Sequence, residues 1–195
     1  VLSTKGFAGT RLTDVAECAE IQAPAIYYYF PSREDLIEEV MYCGISAMRR
    51  QLQDALDALP PDTAFVDRIM VAVETHLRHE LELSDYTTAS IRNARQIPEH
   101  LRTRQKKEES AYGRIWLQLF KDAIAEGEIN PRLDPQLASL LILGALNWAA
   151  EWWDPRRVSI DAIVSNAELL IREGLVPLRK PARRARKPAA RAAAD

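Results

Sequence analysis

KGFAGTRLTDVAECAEIQAPAIYYYFPSREDL, residues 5–36, is the stretch from which the rest of the chain is read. Leu12, Val15, Ala16 and Ala19 fall on one helical face, Ile26, Tyr27 and Phe30 on another, and only Glu20, Ile21 and Gln22 lie between them. Two short helices joined by three residues cannot run antiparallel. They cross steeply as a helix-turn-helix, and the second is presented outward, where it fits a DNA major groove. Pro24 suits the first turn of that second helix, because its missing N–H has no partner to lose there. Ala23 and Ala25 are small enough to let the helix end approach base edges. Tyr27, Tyr28 and Tyr29 point about 100° apart on a helix, so they cannot all be core. Tyr27 is expected half-buried beside Phe30, with Tyr28 and Tyr29 outside and their hydroxyls within reach of phosphate. Ser32 and Asp35 have capping-box spacing for the next helix, whose first N–H groups and Arg33 are expected to form a second phosphate contact.

Gly6-Phe7, Leu12, Val15-Ala16, Ala19, Ile21, Ile26-Tyr27, Phe30 and Ser32-Arg33-Glu34-Asp35-Leu36 together resemble the DNA-binding domain of TetR-family repressors. About a dozen positions agree in type and spacing, far more than a lone motif offers. The resemblance implies an all-helical, dimeric, ligand-released repressor of transcription. The chain departs from the family pattern at three positions. Glu20 stands where the turn glycine is usual, so a residue with a side chain is expected at φ > 0. Gln22 replaces a hydroxyl N-cap and Arg11 a small hydroxyl residue. The expected DNA-contacting set is Arg11, Thr13, Gln22, Ala23, Pro24, Ala25, Tyr28, Tyr29 and Arg33. The family also has a full helix ahead of the Gly-Phe pair. Here only Val1, Leu2, Ser3 and Thr4 precede Lys5, so roughly fifteen further residues are expected to belong before Val1.

The formal net charge of −2 conceals an asymmetry. Residues 179–195 carry seven Lys or Arg and one acid, which leaves nineteen basic and twenty-seven acidic residues in the remainder. An acidic body that binds DNA must place its positive charge locally. The tail has no apolar periodicity and reads as disordered, either simply solvated or in weak contact with DNA. No apolar run reaches bilayer length and no signal peptide is visible, so a cytoplasmic protein without a membrane partner is expected. Cys18 and Cys43 fall within helical patterns and read as small buried hydrophobes.

Beyond Ser32 the pattern is helix after helix, and the fold class is all-α. The first long helix carries Leu36, Val40, Ala47, Met48, Leu52 and Leu56 and stops at Pro60-Pro61. Asp62 is expected to cap a helix bearing Phe65, Ile69, Val73 and Leu77, and Ser84 a shorter piece with Ile91 and Ala94. Another helix starts near Glu99, bears Tyr112, Ile115, Trp116, Leu119, Phe120 and Ala123, and stops at Gly127. Asp134 and Pro135 open the next, which reads LASLLILGALNWAAEWW over residues 137–153. Apolar on nearly every side, it needs two walls: its own core and a second subunit. Gly144 and Ala145 allow a close partner. A last helix over residues 160–172, capped by Ser159, shows Ile163, Val164, Ala167, Leu170 and Ile171 as a stripe. The expected homodimer joins through residues 135–153 and 160–172, as the family resemblance also implies. The expected division is a DNA-binding domain at 1–45, missing its first helix, a ligand and dimerisation domain at 46–177, and a basic tail at 178–195.

Asn147 is the single amide in that apolar run, with Trp148, Trp152 and Trp153 nearby. It either satisfies the core or meets a polar group on a ligand. SIRNARQIPEHLRTR, residues 90–104, taken with GALNWAAEW, resembles the C-terminal domain of TetR-type regulators that sense acyl-CoA thioesters from fatty-acid or steroid-ring breakdown. On that resemblance Arg92, Arg95, Arg102 and Arg104 receive phosphates at a pocket mouth, and Trp116, Asn147, Trp148 and Trp152 line its depth. The bland alternative pairs these arginines with Glu99, Glu108 and Glu109 on solvated faces. A drug-efflux regulator sensing apolar xenobiotics, or a helical bundle with no regulatory role, are the other readings. His76, His79, Glu80 and His100 form the one histidine cluster, but two histidines three apart are not the i,i+4 pair of a metalloprotease. No nucleophile sits on a recognisable elbow. No metal, no cofactor and no catalysis are expected.

Overall fold

In the computed structural model, residues 1–82 and 96–176 are described, and within them every regular element is a helix. In chain order these are α1 (Leu2–Gly9), α2 (Leu12–Cys18), α3 (Ala23–Tyr29), α4 (Arg33–Asp57), α5 (Phe65–Glu82), a 3-10 turn (Glu99–Arg102), α6 (Thr103–Ala125), α7 (Pro135–Asn147), α8 (Ala149–Trp152) and α9 (Ile160–Leu175). Ser84, Ile91, Ala94, Arg92, Arg95 and the basic tail lie outside the described residues.

Helix α1 is two short turns hinged at Gly6, whose φ of 70° a residue with a Cβ rarely adopts. Leu12, Ala16 and Ile26 close a small core between α2 and α3, with Val15, Phe30 and Leu36 at its edge. Helix α2 ends as the three-residue turn requires: Ile21 N–H reaches back to the Ala16 carbonyl at 3.0 Å, and Glu20 takes the positive φ of 55°. Ala19, expected on the buried face, is exposed at that end. Cys18 and Cys43 are also exposed rather than core. Helical periodicity alone could not tell which side of α2 or α4 the neighbouring helices cover.

Helix α4 is continuous for 25 residues and serves two cores. Its first turns place Ile37 and Met41 against Leu2 of α1 and against Ile97 and Leu101 around the 3-10 turn. Its later turns place Met48, Leu52 and Leu56 in the large core with Ile69, Val73 and Leu77 of α5 and Trp116, Phe120 and Ala123 of α6. A side chain remote in sequence caps α5: the Glu128 carboxylate accepts from the Val66 N–H at 2.7 Å, while the helix starts three residues after Asp62. Arg68 ties down the preceding loop by donating to the carbonyls of Pro60, Pro61 and Thr63. Gly127 ends α6 with a φ of 71°.

The apolar run of residues 137–153 breaks into α7 and α8, and only one side of it is buried. Ser139, Leu146 and Ala149 face inward, whereas Leu137, Leu140, Leu141, Trp148 and Trp152 are exposed. Helix α9 buries Ile163 and Val164 but turns Leu169 and Leu170 outward. Leu170 therefore leaves the expected core stripe: the sequence period placed it with Ile171, but α5 covers only the Ile163–Val164 side. Asp134 and Ser159 cap α7 and α9 as expected.

Candidate functional site

Helix α3 carries the DNA-facing candidates. Ile26 is its buried residue, and that one anchor turns Tyr27, Tyr28 and Tyr29 outward with exposures of 53, 83 and 72%. Tyr27 is therefore more open than its spacing from Phe30 suggested. The rings of Tyr28 and Tyr29 meet edge to face at 5.0 Å on the outer surface. Pro24 lies in the first turn, as read from the sequence. Gln22 occupies the N-cap without using its side chain, which leaves that amide exposed and free of the helix end. Arg11 and Thr13 are also exposed, at the start of α2.

Arg33 is placed differently from expectation. Its guanidinium donates to the Phe7 carbonyl at 2.8 Å, lies 4.7 Å from the Phe7 ring centre and pairs with Glu34 at 2.6 Å. It satisfies carbonyls at the end of α1, where a cation meets the negative end of the helix dipole. Lys5, paired with Asp14 at 3.0 Å, fastens the same helix to α2.

The expected effector residues separate in space. Trp116 is fully buried, whereas Trp148 and Trp152 stand on the outer face of α7 and α8, so the three do not line one interior. Trp153 packs against the core and donates from its indole to the Val158 carbonyl. Arg104 is engaged with α4, pairing with Glu39 at 2.7 Å and lying 3.9 Å from the Tyr42 ring centre. Arg49 holds Glu108 across the same helix pair, and Lys106 holds Glu99. These contacts favour the structural reading of that charged face.

A buried polar group links α5 and α6, and its partners could not be read from spacing. His76, His79, Glu80, Tyr112 and Gln105 are all buried there. His76 Nδ1 is 2.8 Å from the Tyr112 hydroxyl, and His79 Nδ1 is 2.9 Å from Gln51 Oε1 on α4. Burial pushes the His76 imidazole down to about 4, against a smaller upward pull from the Asn147 amide, so it is neutral at physiological pH. Burial likewise raises the Tyr112 hydroxyl, partly offset by the Trp116 indole beside it, and keeps it protonated. His76 Nε2 stands 3.9 Å from Glu80 Oε1 and reaches no acceptor within hydrogen-bond geometry. Asn147 is exposed but lies beside His76, so the expected ligand amide and this buried group adjoin. A signal was present: two histidines and a glutamate inside the apolar period of α5 are residues that a core accepts only with partners.

Comparison with known proteins agrees with this architecture. Residues 1–40 match the family model described as bacterial regulatory proteins, tetR family, and residues 62–175 match the tetracyclin repressor-like C-terminal domain. The HTH-type transcriptional repressor KstR2 of Mycolicibacterium smegmatis is 23% identical over 158 residues, covering 80% of this chain and 75% of its own. The crystal structure of FadR from Bacillus subtilis in complex with stearoyl-CoA superposes with a TM-score of 0.74 at 18% identity, covering 89% of this chain and 93% of that one. The structure of AibR in complex with isovaleryl coenzyme A and operator DNA gives a TM-score of 0.77 at 17% identity, covering 87 and 90%. With a helix-turn-helix at one end, an all-helical domain at the other and family models matching both, the chain belongs to the TetR family of bacterial transcriptional regulators.

Proposed function

We propose that the protein is a dimeric repressor that leaves a pseudo-palindromic operator when a small hydrophobic effector, an acyl-CoA thioester being the favoured class, binds its helical domain. The observation that carries this reading is the outward face of α3, where three consecutive tyrosines stand exposed with no packing role large enough to explain them. Residues 22–29 of each subunit then enter successive major grooves, with half-sites about one turn apart or slightly more.

The exposed stripe on α7 and α9 supports the dimer. Leu137, Leu140, Leu141 and Trp148 on one helix and Leu169 and Leu170 on the other are large apolar side chains left exposed, of the kind that marks an association site. A Cβ added at Gly144 meets nothing within 4 Å, which leaves room for a partner helix to approach. Helix α4 is the link between the two ends, because Ile37 and Met41 pack with α1 while Met48 and Leu52 pack with α5 and α6. An effector that prefers one setting of α4 lowers operator affinity by its differential binding, and DNA lowers effector affinity reciprocally.

The thioester reading draws on relatives: the solved FadR carries stearoyl-CoA and AibR isovaleryl coenzyme A. Arg92 and Arg95 remain the candidates for the CoA phosphates. Fluorescence anisotropy on a footprinted operator tests the whole proposal. Release by long-chain or branched acyl-CoA, but not by the free acid at equal concentration, is expected. Release by unrelated apolar drugs alone makes the efflux-regulator reading the better one.

A further inference from the structure

The helical domain proposed above to bind the effector has a buried polar point whose partners the sequence did not announce. Trp116, Tyr112 and His76 form a three-ring cluster in the core, with centroid distances of 6.4 Å from Trp116 to Tyr112, 5.9 Å from Tyr112 to His76 and 6.1 Å from His76 to Trp116. The donors and acceptors set a direction. An indole N–H can only donate, and Trp116 acts on the Tyr112 hydroxyl, although short of full hydrogen-bond geometry. The protonated hydroxyl, 2.8 Å from His76 Nδ1, then donates to that nitrogen. A neutral imidazole that accepts at Nδ1 carries its proton on Nε2. The Glu80 carboxylate at 3.9 Å and the Asn147 amide favour the same tautomer. The cluster therefore holds a donor, His76 Nε2–H, inside a residue that is only 1% exposed, with no acceptor in hydrogen-bond geometry.

We propose that His76 Nε2–H is the effector-recognising donor of this protein and that it selects ligands carrying a neutral oxygen acceptor, a ketone, ester or thioester carbonyl, in an otherwise apolar skeleton. A carboxylate is disfavoured there, because Glu80 is close and the imidazole brings no positive charge. A pure hydrocarbon leaves the donor unmet, and a site built around a polar group rejects the analogue that lacks it. Tyr112 is a positioning residue, because its hydroxyl at 2.8 Å from Nδ1 holds the tautomer, and Trp116 packs against both rings. Asn147, beside the imidazole, is exposed on the single chain.

The test rests on the effector reading only for its biological meaning, and it uses the full chain with two probes of one shape, cyclohexanone and methylenecyclohexane. Binding is followed by ligand-observed NMR in wild type, His76→Leu, His76→Gln and Tyr112→Phe. Wild type is expected to bind the ketone at least tenfold more tightly than the alkene. His76→Leu should erase that preference, His76→Gln should keep most of it by presenting an amide N–H at the same reach, and Tyr112→Phe should weaken it several-fold. If His76→Leu fails to fold by circular dichroism, His76→Gln and Tyr112→Phe carry the test. Equal binding of both probes, binding of neither, or a preference that survives His76→Leu overturns the proposal and leaves His76 a core histidine. Operator release is scored separately. Ketone preference without any release by carbonyl ligands removes the effector reading but keeps the donor, whereas release by an acyl-CoA without ketone preference does the reverse.

Discussion

Arg33, on the first turn of α4, grips the carbonyl of Phe7 at 2.8 Å and covers its ring at 4.7 Å, so the start of the long helix is bonded to the end of α1. The expected free phosphate ligand is thereby a strut inside the DNA-binding domain. Arg33→Ala should destabilise that domain by about 1–3 kcal/mol, since it leaves carbonyls unpaired. Lysine should restore little, because it lacks the planar fork that donates and stacks together. Denaturant unfolding of the two variants checks this. Unchanged stability in Arg33→Ala would return Arg33 to the phosphate role.

Tyr28→Ala and Tyr29→Ala remove side chains that are mostly exposed, so each should shift folding stability by less than about 0.5 kcal/mol. Operator affinity should nonetheless fall in both. Tyr27→Ala should now behave as a surface change as well, because Ile26 and not Tyr27 anchors α3. Anisotropy titrations at fixed salt, paired with thermal melts, separate binding from folding.

Leu141 and Leu170 are 74 and 75% exposed, one on each helix of the apolar stripe. Leu141→Glu combined with Leu170→Glu should convert the dimer to monomer while the chain stays helical. Sedimentation velocity reads the first outcome and circular dichroism the second. A dimer that persists in the double variant would place the two-fold contact elsewhere.

His76 is held neutral in the folded chain at about 4, below the ordinary 6.5. Between those values the unfolded chain binds the extra proton, so stability rises with pH across this window. The contribution is complete above about pH 6.5 and is lost as pH falls toward 4. Between pH 7 and 5 the wild type should lose roughly 2 kcal/mol more than His76→Leu, because each tenfold difference in proton affinity between the folded and unfolded chain is worth about 1.4 kcal/mol. Parallel denaturant curves at the two pH values measure the difference, and equal losses would show that the imidazole is not buried neutral.

Glu128→Ala tests a contact between distant parts of the chain. Removing the carboxylate that accepts from the Val66 N–H should cost about 1 kcal/mol, in the range of a lost N-cap. Asp62→Ala, at the position first expected to cap, should cost almost nothing. Thermal melts of the two variants decide between the residues.

Several features followed from the chain alone. The helix-turn-helix, the positive φ at Glu20, the proline in the first turn of α3, the capping Ser32, Asp134 and Ser159, and the stop at Gly127 all depend on local geometry, and local geometry is written within a few residues. The sequence also showed that residues 137–153 have too many apolar faces for one core. Only the tertiary structure decided which face lay uncovered, because a periodic pattern says that a side is apolar without saying what packs on it. The same limit explains Leu170, Ala19 and the two cysteines. Arg33, Arg104 and Glu128 escaped local spacing for a related reason: a long charged side chain reaches partners 26, 65 and 62 residues away in the chain, and no local pattern encodes such a partner. The cluster of Trp116, Tyr112 and His76 is the clearest case. His76 and Trp116 each drew notice in the sequence, but only the packing of α5 against α6 brought the three rings together and left one N–H without an acceptor in bonding geometry.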